Sequence, residues 1–255
     1  MNAGPASAGP RWRDVEREPT EYFEQRRRLP DSAVFNEIVT KPHWRISIFP
    51  IEFKKARFRD LDQCRHFASS CCVRTPSGIS YPQVWLHAVE SGREYVACDT
   101  GASLGPIGRT ERWVLFRSAL FVQNRLFNES PQLAGRIHVL EVLDTTTAAL
   151  EFATRMTQQV ELAPEIAITI GLHSVEGRQL TWPQDIFLDR DVVGRNGWCQ
   201  DETVQVSRQT EPGNIAAHGR ELAFELAMEI YAQFGWEDPP GDRLREVQKA
   251  RFGGG

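Results

Sequence analysis

The chain lacks the patterns that mark several large classes of protein. Its cysteines are odd in number and form no CxxC pair, which argues against both a disulfide framework and a structural zinc site. They are Cys64, Cys71, Cys72, Cys98 and Cys199. No apolar run approaches the roughly 20 residues that span a bilayer, and the first residues resemble no secretory signal. We therefore expect a cytoplasmic protein with no membrane segment, no metal and no cofactor.

A broad excess of positive charge is also missing. The 255 residues include 30 Lys and Arg against 34 Asp and Glu, which gives a net charge of -4. Binding to a nucleic-acid backbone relies on clustered basic residues. Direct nucleic-acid binding is therefore not expected, although this composition is compatible with a local basic patch.

Recognisable catalytic motifs are absent as well. The glycine-rich segment 101–108 runs into a strand pattern, whereas a phosphate-binding loop needs a helix behind it. Three neighbouring acids, Asp185, Asp189 and Asp191, are compatible with metal-dependent hydrolysis, but they lack the glycine and terminal glutamate of a calcium loop. A metal-dependent hydrolase or nuclease that uses these acids with His87 and His173 is the alternative hypothesis.

What the sequence does contain is an internal similarity. The segment Leu86 to Tyr95 resembles Leu172 to Leu180, and Phe67-Ala68 and Phe152-Ala153 precede these segments at nearly the same spacing. A shared motif at a shared spacing indicates two copies of one structural unit. The two segments are then predicted to be equivalent hairpins, around Ser91-Gly92 and Glu176-Gly177.

Hydrophobic periodicity predicts an α+β fold. Each repeat reads strand, helix, strand, strand, strand, over about 43–127 and 136–234, and the second repeat adds a C-terminal helix that starts at Pro212 and stops at Gly235. The repeats are predicted to share one core within 31–236. Residues 1–30 are predicted to be a disordered tail, with a short helix after Glu18 as the alternative, and 237–255 a flexible tail.

Candidate binding residues follow from the repeat. Arg93 and Arg178 come just after the two predicted turns, where a guanidinium can grip a carboxylate or phosphate. The alternative is a salt bridge that stabilises each turn. His87 and His173 occupy equivalent strand positions and are predicted to bind a ligand or partner, unless they are structural. The terminal Gly255 is a candidate site for conjugation to another molecule, and the alternative is a flexible end without a function.

Several segments resemble a known group of bacterial proteins. These segments are Trp44 to Pro50, Ala56 to Arg65, Tyr81-Pro82, Leu150 to Ala153 and Gly177 to Leu180. They are similar to the region that lies C-terminal to an AlbA-like, Schlafen-type putative nucleic-acid-binding domain, and the similarity spans roughly residues 43 to 236. Here no AlbA-like domain precedes residue 30, so its nucleic-acid function is not carried over, and neither is any catalytic residue.

The resemblance implies a stand-alone accessory or sensing module in bacterial regulation or phage defence. Together with the missing catalytic motifs, it favours a non-enzymatic module over an enzyme. The expected ligand is a protein partner or a small anionic molecule.

Overall fold

The computed structural model describes residues 13–15, 18–85, 88–101, 109–127, 135–159, 163–182, 198–236 and 238–253. They form the following elements in chain order: α1 (Thr20–Arg27), α2 (Ala33–Val39), β1 (His43–Pro50), α3 (Leu61–Ser70), β2 (Val73–Arg74), β3 (Ser80–Tyr81), β4 (Val89–Ser91), β5 (Tyr95–Thr100), β6 (Glu111–Phe116), β7 (Phe121–Leu126), β8 (Arg136–His138), α4 (Val139–Gln159), β9 (Ile166–His173), β10 (Gln179–Thr181), β11 (Thr203–Thr210), α5 (Pro212–Gln233) and α6 (Gly241–Phe252).

A seven-stranded sheet in the order β11-β9-β1-β7-β6-β5-β4 organises the molecule. All six neighbouring pairs in it are antiparallel. Two further sheets have two strands each, β8 with β10 and β2 with β3. The α+β class and the C-terminal helix predicted from the sequence are therefore confirmed.

The central strand β1 shows why the sheet has two different faces. Successive side chains of a strand point to opposite sides. Trp44, Ile46 and Ile48 are fully buried on one side, which we call the first face. Arg45 and Ser47 point to the other side, the second face. Pro50 is the last residue of β1, as a residue without an N–H group should be.

Helices α3, α4 and α5 cover the first face. The Asp60 carboxylate accepts a hydrogen bond from the Gln63 N–H at 2.8 Å and caps α3 as predicted. The predicted apolar positions Cys64 and Met156 are both fully buried in one hydrophobic cluster, which continues as far as Leu244. Residues of both halves of the chain thus contribute to one core. None of the described helices is long and apolar enough to cross a bilayer.

The second face is covered only in part, by α1 and α2. Tyr22 of α1 is buried against Phe49 and Phe53, with ring centroids 5.1 and 5.0 Å away. The predicted disordered tail is thus wrong for Thr20–Arg27, because one aromatic residue anchors this charged helix. The predicted flexible C-terminal tail is wrong for Gly241–Phe252, which forms α6 and buries Leu244 and Phe252.

The second predicted hairpin is a further correction. The first segment does form the antiparallel hairpin β4–β5 at a sheet edge. In the second segment, β9 lies inside the sheet between β1 and β11, and β10 leaves it to pair in parallel with β8. The two similar segments therefore occupy unrelated positions in the topology. The two turns also differ, because Gly177 has a positive φ of 71° and Gly92 does not.

The strand predicted at 136–142 is also shorter than expected. Only Arg136–His138 is extended, and α4 starts at Val139 instead of near Asp144. Val139, Leu140, Val142 and Leu143 are all buried. A short apolar run that is buried on every side carries no periodicity that distinguishes a strand from a helix.

Candidate functional site

A polar floor lies on the second face where β1, β9 and β11 run side by side. The strand register places Arg45 of β1 opposite Gly171 of β9, and Gly171 opposite Gln205 of β11. The next row towards Pro50 contains Ser47 and Thr169. These residues share one face because each is an even number of residues from its neighbour on the same strand. Helices α1 and α2 leave a cavity above this part of the sheet.

Helix α1 forms one wall above the floor. Phe23, Arg26 and Arg27 are spaced i, i+3, i+4 and so lie on one side of the helix. The guanidinium carbon of Arg27 lies 5.8 Å from the centre of the Phe23 ring. Phe35 of α2 lines the cavity beside them.

These elements enclose a cavity of about 380 Å³, which we call the Arg45 pocket. Its lining residues are Phe23, Arg26, Arg27, Phe35, Arg45, Ser47, Thr169, His173 and Gln205. Gly171 keeps the floor open, because a Cβ atom there would approach His173 Nε2 to 3.0 Å and the Arg45 carbonyl oxygen to 3.6 Å. Ligand pockets in proteins measure about 300–1,000 Å³, so the cavity can hold one small molecule.

Positive charge dominates the Arg45 pocket. Within the described part of the chain, the Arg45 side chain makes no hydrogen bond and has no carboxylate at ion-pair distance. Burial lowers its pKa, and the neighbouring charge of Arg26 lowers it further, while Glu18 acts in the opposite direction. Arg26 itself is paired with Glu18. The Arg27 guanidinium is mostly exposed and forms a long ion pair with Glu24, whose nearest carboxylate oxygen lies 3.8 Å away.

Two stacked histidines border the same floor. The imidazoles of His43 and His173 lie 5.0 Å apart at an interplanar angle of 14°. His43 Nδ1 donates to the Lys41 carbonyl oxygen at 2.8 Å. Burial, then the neighbouring His43 and Arg45, lowers the pKa of His173 to about 4. Burial also lowers the pKa of His43. Both rings are therefore neutral at pH 7, and a bound anion would favour their protonation.

A second cavity of about 530 Å³ adjoins the Arg45 pocket and shares Arg26, Thr169 and Gln205 with it. Its lining contains two arginines, Arg26 and Arg208, and three carboxylates, Asp14, Glu18 and Glu229. Arg208 lies 2.7 Å from Asp14 and also pairs with Glu229. Unlike the Arg45 pocket, this cavity offers no guanidinium that lacks a carboxylate partner.

The structure brings one of the four predicted binding residues into this site. His173 lines the pocket and stacks on His43, whereas the predicted His87 lies outside the described residues. Arg93 is exposed in the turn between β4 and β5. Arg178 is partly buried, with its guanidinium carbon 5.7 Å from the centre of the Phe127 ring.

Arg93 and Arg178 lie too far apart to bind one anion together, which corrects the prediction that they occupy equivalent positions. Arg93 precedes Tyr95, at the end of the sheet where β5 begins and β6 finishes. Arg178 follows His173, at the opposite end, where β9 finishes beside the start of β1. Three strands, β1, β7 and β6, separate β9 from β5. The predicted acids Asp185, Asp189 and Asp191 and the terminal Gly255 lie outside the described residues.

The residue that sequence reasoning missed is Arg45. One signal was present: a charged side chain interrupts an alternating strand whose other outward positions, Ser47 and Phe49, are small or apolar. Arg26 and Arg27 were assigned to a disordered tail. Their role depends on Tyr22, which anchors α1 beside the sheet.

A buried polar cluster on the first face was missed as well. The Glu111 carboxylate accepts a hydrogen bond from the Gln83 backbone N–H at 3.0 Å, and Arg125 lies opposite Glu111 in the register. Burial raises the pKa of Glu111 above its usual value, although Arg125 opposes this shift. Several buried polar atoms around it have no hydrogen-bond partner among the described residues: Tyr81 Oη, Gln83 Nε2, Gln123 Nε2, Gln123 Oε1 and Arg125 Nε.

Metal chemistry finds no support in the described ranges, where no three His, Cys, Asp or Glu side chains are grouped to hold an ion. The geometry of the Arg45 pocket is suited to non-covalent binding of an anion. Comparison of the chain with protein-family models, with curated proteins and with solved structures finds no match in any of the three, so its function must be inferred from this geometry.

Proposed function

We propose that the protein is a non-enzymatic binding module that recognises a small anionic ligand in the Arg45 pocket. One observation carries the proposal: a partly buried guanidinium faces a cavity without a carboxylate to neutralise it. Burying an unpaired charge costs free energy, and a ligand anion would offset that cost. Arginine is also the side chain best suited to bind a carboxylate or phosphate with two hydrogen bonds.

Two broader parts of the proposal rest on the sequence. The resemblance to the region that follows AlbA-like domains supports an accessory or sensing role in a bacterial cytoplasm. The alternative, a metal-dependent hydrolase, has no geometric support in the described residues, because the acids that suggested it lie outside them. Recognition of a protein partner is compatible with the pocket if the partner presents an acidic side chain there.

Isothermal titration calorimetry with sulfate tests this proposal. We expect the Arg45→Gln variant to bind sulfate about 10-fold or more weakly than the wild type, because a hydrogen bond to a charged group contributes about 1.5–3 kcal/mol. Arg93→Gln is the matched control, since it removes the same charge from an exposed position. Equal affinities of Arg45→Gln and the wild type, or an equal loss in both variants, would rule out a specific site at Arg45.

A further inference from the structure

We propose that the ligand of the Arg45 pocket is a phosphate monoester that carries a planar ring, of the nucleoside 5′-monophosphate class. This inference rests on the proposed function and specifies its ligand. Three properties of the pocket support it: its charge, its free hydrogen-bond donors and its exposed aromatic ring.

The pocket carries a net positive charge, which suits an anion. Three guanidinium groups, those of Arg26, Arg27 and Arg45, line the cavity, and none of the described residues that line it carries a carboxylate. Counting the carboxylates paired with these arginines, Glu18 with Arg26 and Glu24 with Arg27, leaves three positive charges against two negative charges, a balance of +1. A phosphate monoester carries about -1.5 to -2 charges at pH 7, whereas a carboxylate carries one. A net positive charge attracts the phosphate more strongly than the carboxylate.

Neutral donors line the same cavity as the Arg45 guanidinium. Thr169 Oγ1 accepts a hydrogen bond from the Ser207 hydroxyl at 3.1 Å, which leaves its own O–H free to donate. Ser47 is 2% exposed, and its hydroxyl has no hydrogen-bond partner among the described residues. A bidentate guanidinium and two hydroxyls present four N–H and O–H groups, which the three terminal oxygens of a phosphate monoester can accept from different directions.

An aromatic surface stands beside the cationic floor. Phe23 is 48% exposed, which is unusual for a phenylalanine, and Phe35 lines the same cavity. A nucleobase or similar ring stacks on an aromatic face irrespective of its hydrogen-bonding pattern. The volume of about 380 Å³ lies near the lower end of the range for ligand pockets, which suits one nucleotide and not a longer chain.

Calorimetric titrations with four probes test the inference: adenosine 5′-monophosphate, ribose 5-phosphate, adenosine and inorganic phosphate. We expect the wild type to bind adenosine 5′-monophosphate at least about 10-fold more tightly than ribose 5-phosphate, since base stacking contributes a factor of this order. Adenosine alone should bind far more weakly than the monophosphate.

Phe23→Leu separates stacking from simple apolar contact, because leucine keeps an apolar side chain but has no ring face. We expect this variant to lose at least about 5-fold in affinity for adenosine 5′-monophosphate and to keep the wild-type affinity for ribose 5-phosphate. Val39→Ala is the control, since Val39 is a comparably exposed apolar residue, at 41%, outside the pocket lining. It should leave both affinities unchanged.

The outcomes distinguish the inference from the proposed function beneath it. Equal wild-type affinities for the two phosphate esters, or an unchanged preference in Phe23→Leu, would overturn the ring subsite and leave anion binding intact. Failure of the wild type to bind any of the three phosphates, or adenosine binding as tightly as its monophosphate, would overturn both. Phosphate binding to the wild type that is lost in Arg45→Gln supports the proposed function in either case.

Discussion

Replacing Arg45 by glutamine should have opposite effects on stability with and without an anion. In the free protein, burial and the neighbouring Arg26 both disfavour the charged guanidinium, as the lowered pKa of Arg45 indicates. The attraction of Glu18 offsets part of this cost, and glutamine retains much of the aliphatic stem. We therefore expect Arg45→Gln to be more stable by about 0.5 kcal/mol, which corresponds to a rise in Tm of about 1–2 °C for a chain of this size.

Sulfate should reverse the order of the Tm values of the wild type and Arg45→Gln. A ligand at ten times its Kd stabilises the folded state by RT ln 11, or about 1.4 kcal/mol, which raises the wild-type Tm by about 3–5 °C. If the substitution weakens binding tenfold, the variant gains only about 0.4 kcal/mol at the same concentration. The wild type then melts at the higher temperature.

Differential scanning calorimetry over a series of sulfate concentrations measures both effects. Sulfate also stabilises proteins in general, because it is excluded from their surfaces. Arg93→Gln, with the same net charge as Arg45→Gln, reports that general contribution together with specific binding at an intact pocket. A Tm of Arg45→Gln several degrees below the wild type without sulfate would show that Arg45 stabilises the fold. Parallel sulfate curves for the two variants would refute the pocket.

Three further predictions concern titration and burial. Sulfate stays dianionic between pH 7 and 5, and its charge should raise the lowered pKa of His173, so calorimetry should find tighter sulfate binding at pH 5 than at pH 7. This increase in affinity should be smaller in His173→Asn. An unchanged increase would assign the effect to another group such as Glu18, whose pKa is raised by burial. The raised pKa of Glu111 means that the folded wild type loses stability as the pH rises above about 4, the unfolded value. The Tm of Glu111→Gln relative to the wild type should therefore increase from pH 4 to pH 7, and a decrease would contradict the assigned shift. Cys64→Asp places an unpaired charge in the core, should cost several kcal/mol, and is contradicted by a thermal melt unchanged within a degree.

Local patterns in the sequence were sufficient for the fold class and for several of the elements. Alternation of Trp44, Ile46 and Ile48 predicted β1 and its buried face, because a period of two residues is a property of the strand itself. The Asp60 cap and the Pro212 start predicted where α3 and α5 begin, since both act on backbone groups within one turn. The burial of Cys64 and Met156 followed from helical spacing in the same way.

Strand partners could not be predicted in this manner. The similar segments after Leu86 and Leu172 suggested equivalent hairpins, yet β9 pairs with β1 and β11 while β10 pairs with β8. A turn signal reports the conformation of a few residues. Whether two flanking strands pair depends on which other strands compete for their edges, and that competition is decided by packing on both faces of the sheet.

The sequence by itself determined an α+β protein with an apolar face on each main strand and capped amphipathic helices. Only the tertiary structure decided that Arg45, Gly171 and Gln205 form one row across three strands, and that α1 places Arg26 and Arg27 above it. The physical reason is the distance along the chain over which each interaction acts. Periodicity and capping act over a few residues, whereas a binding pocket is built from side chains that meet only when the register of distant strands is set.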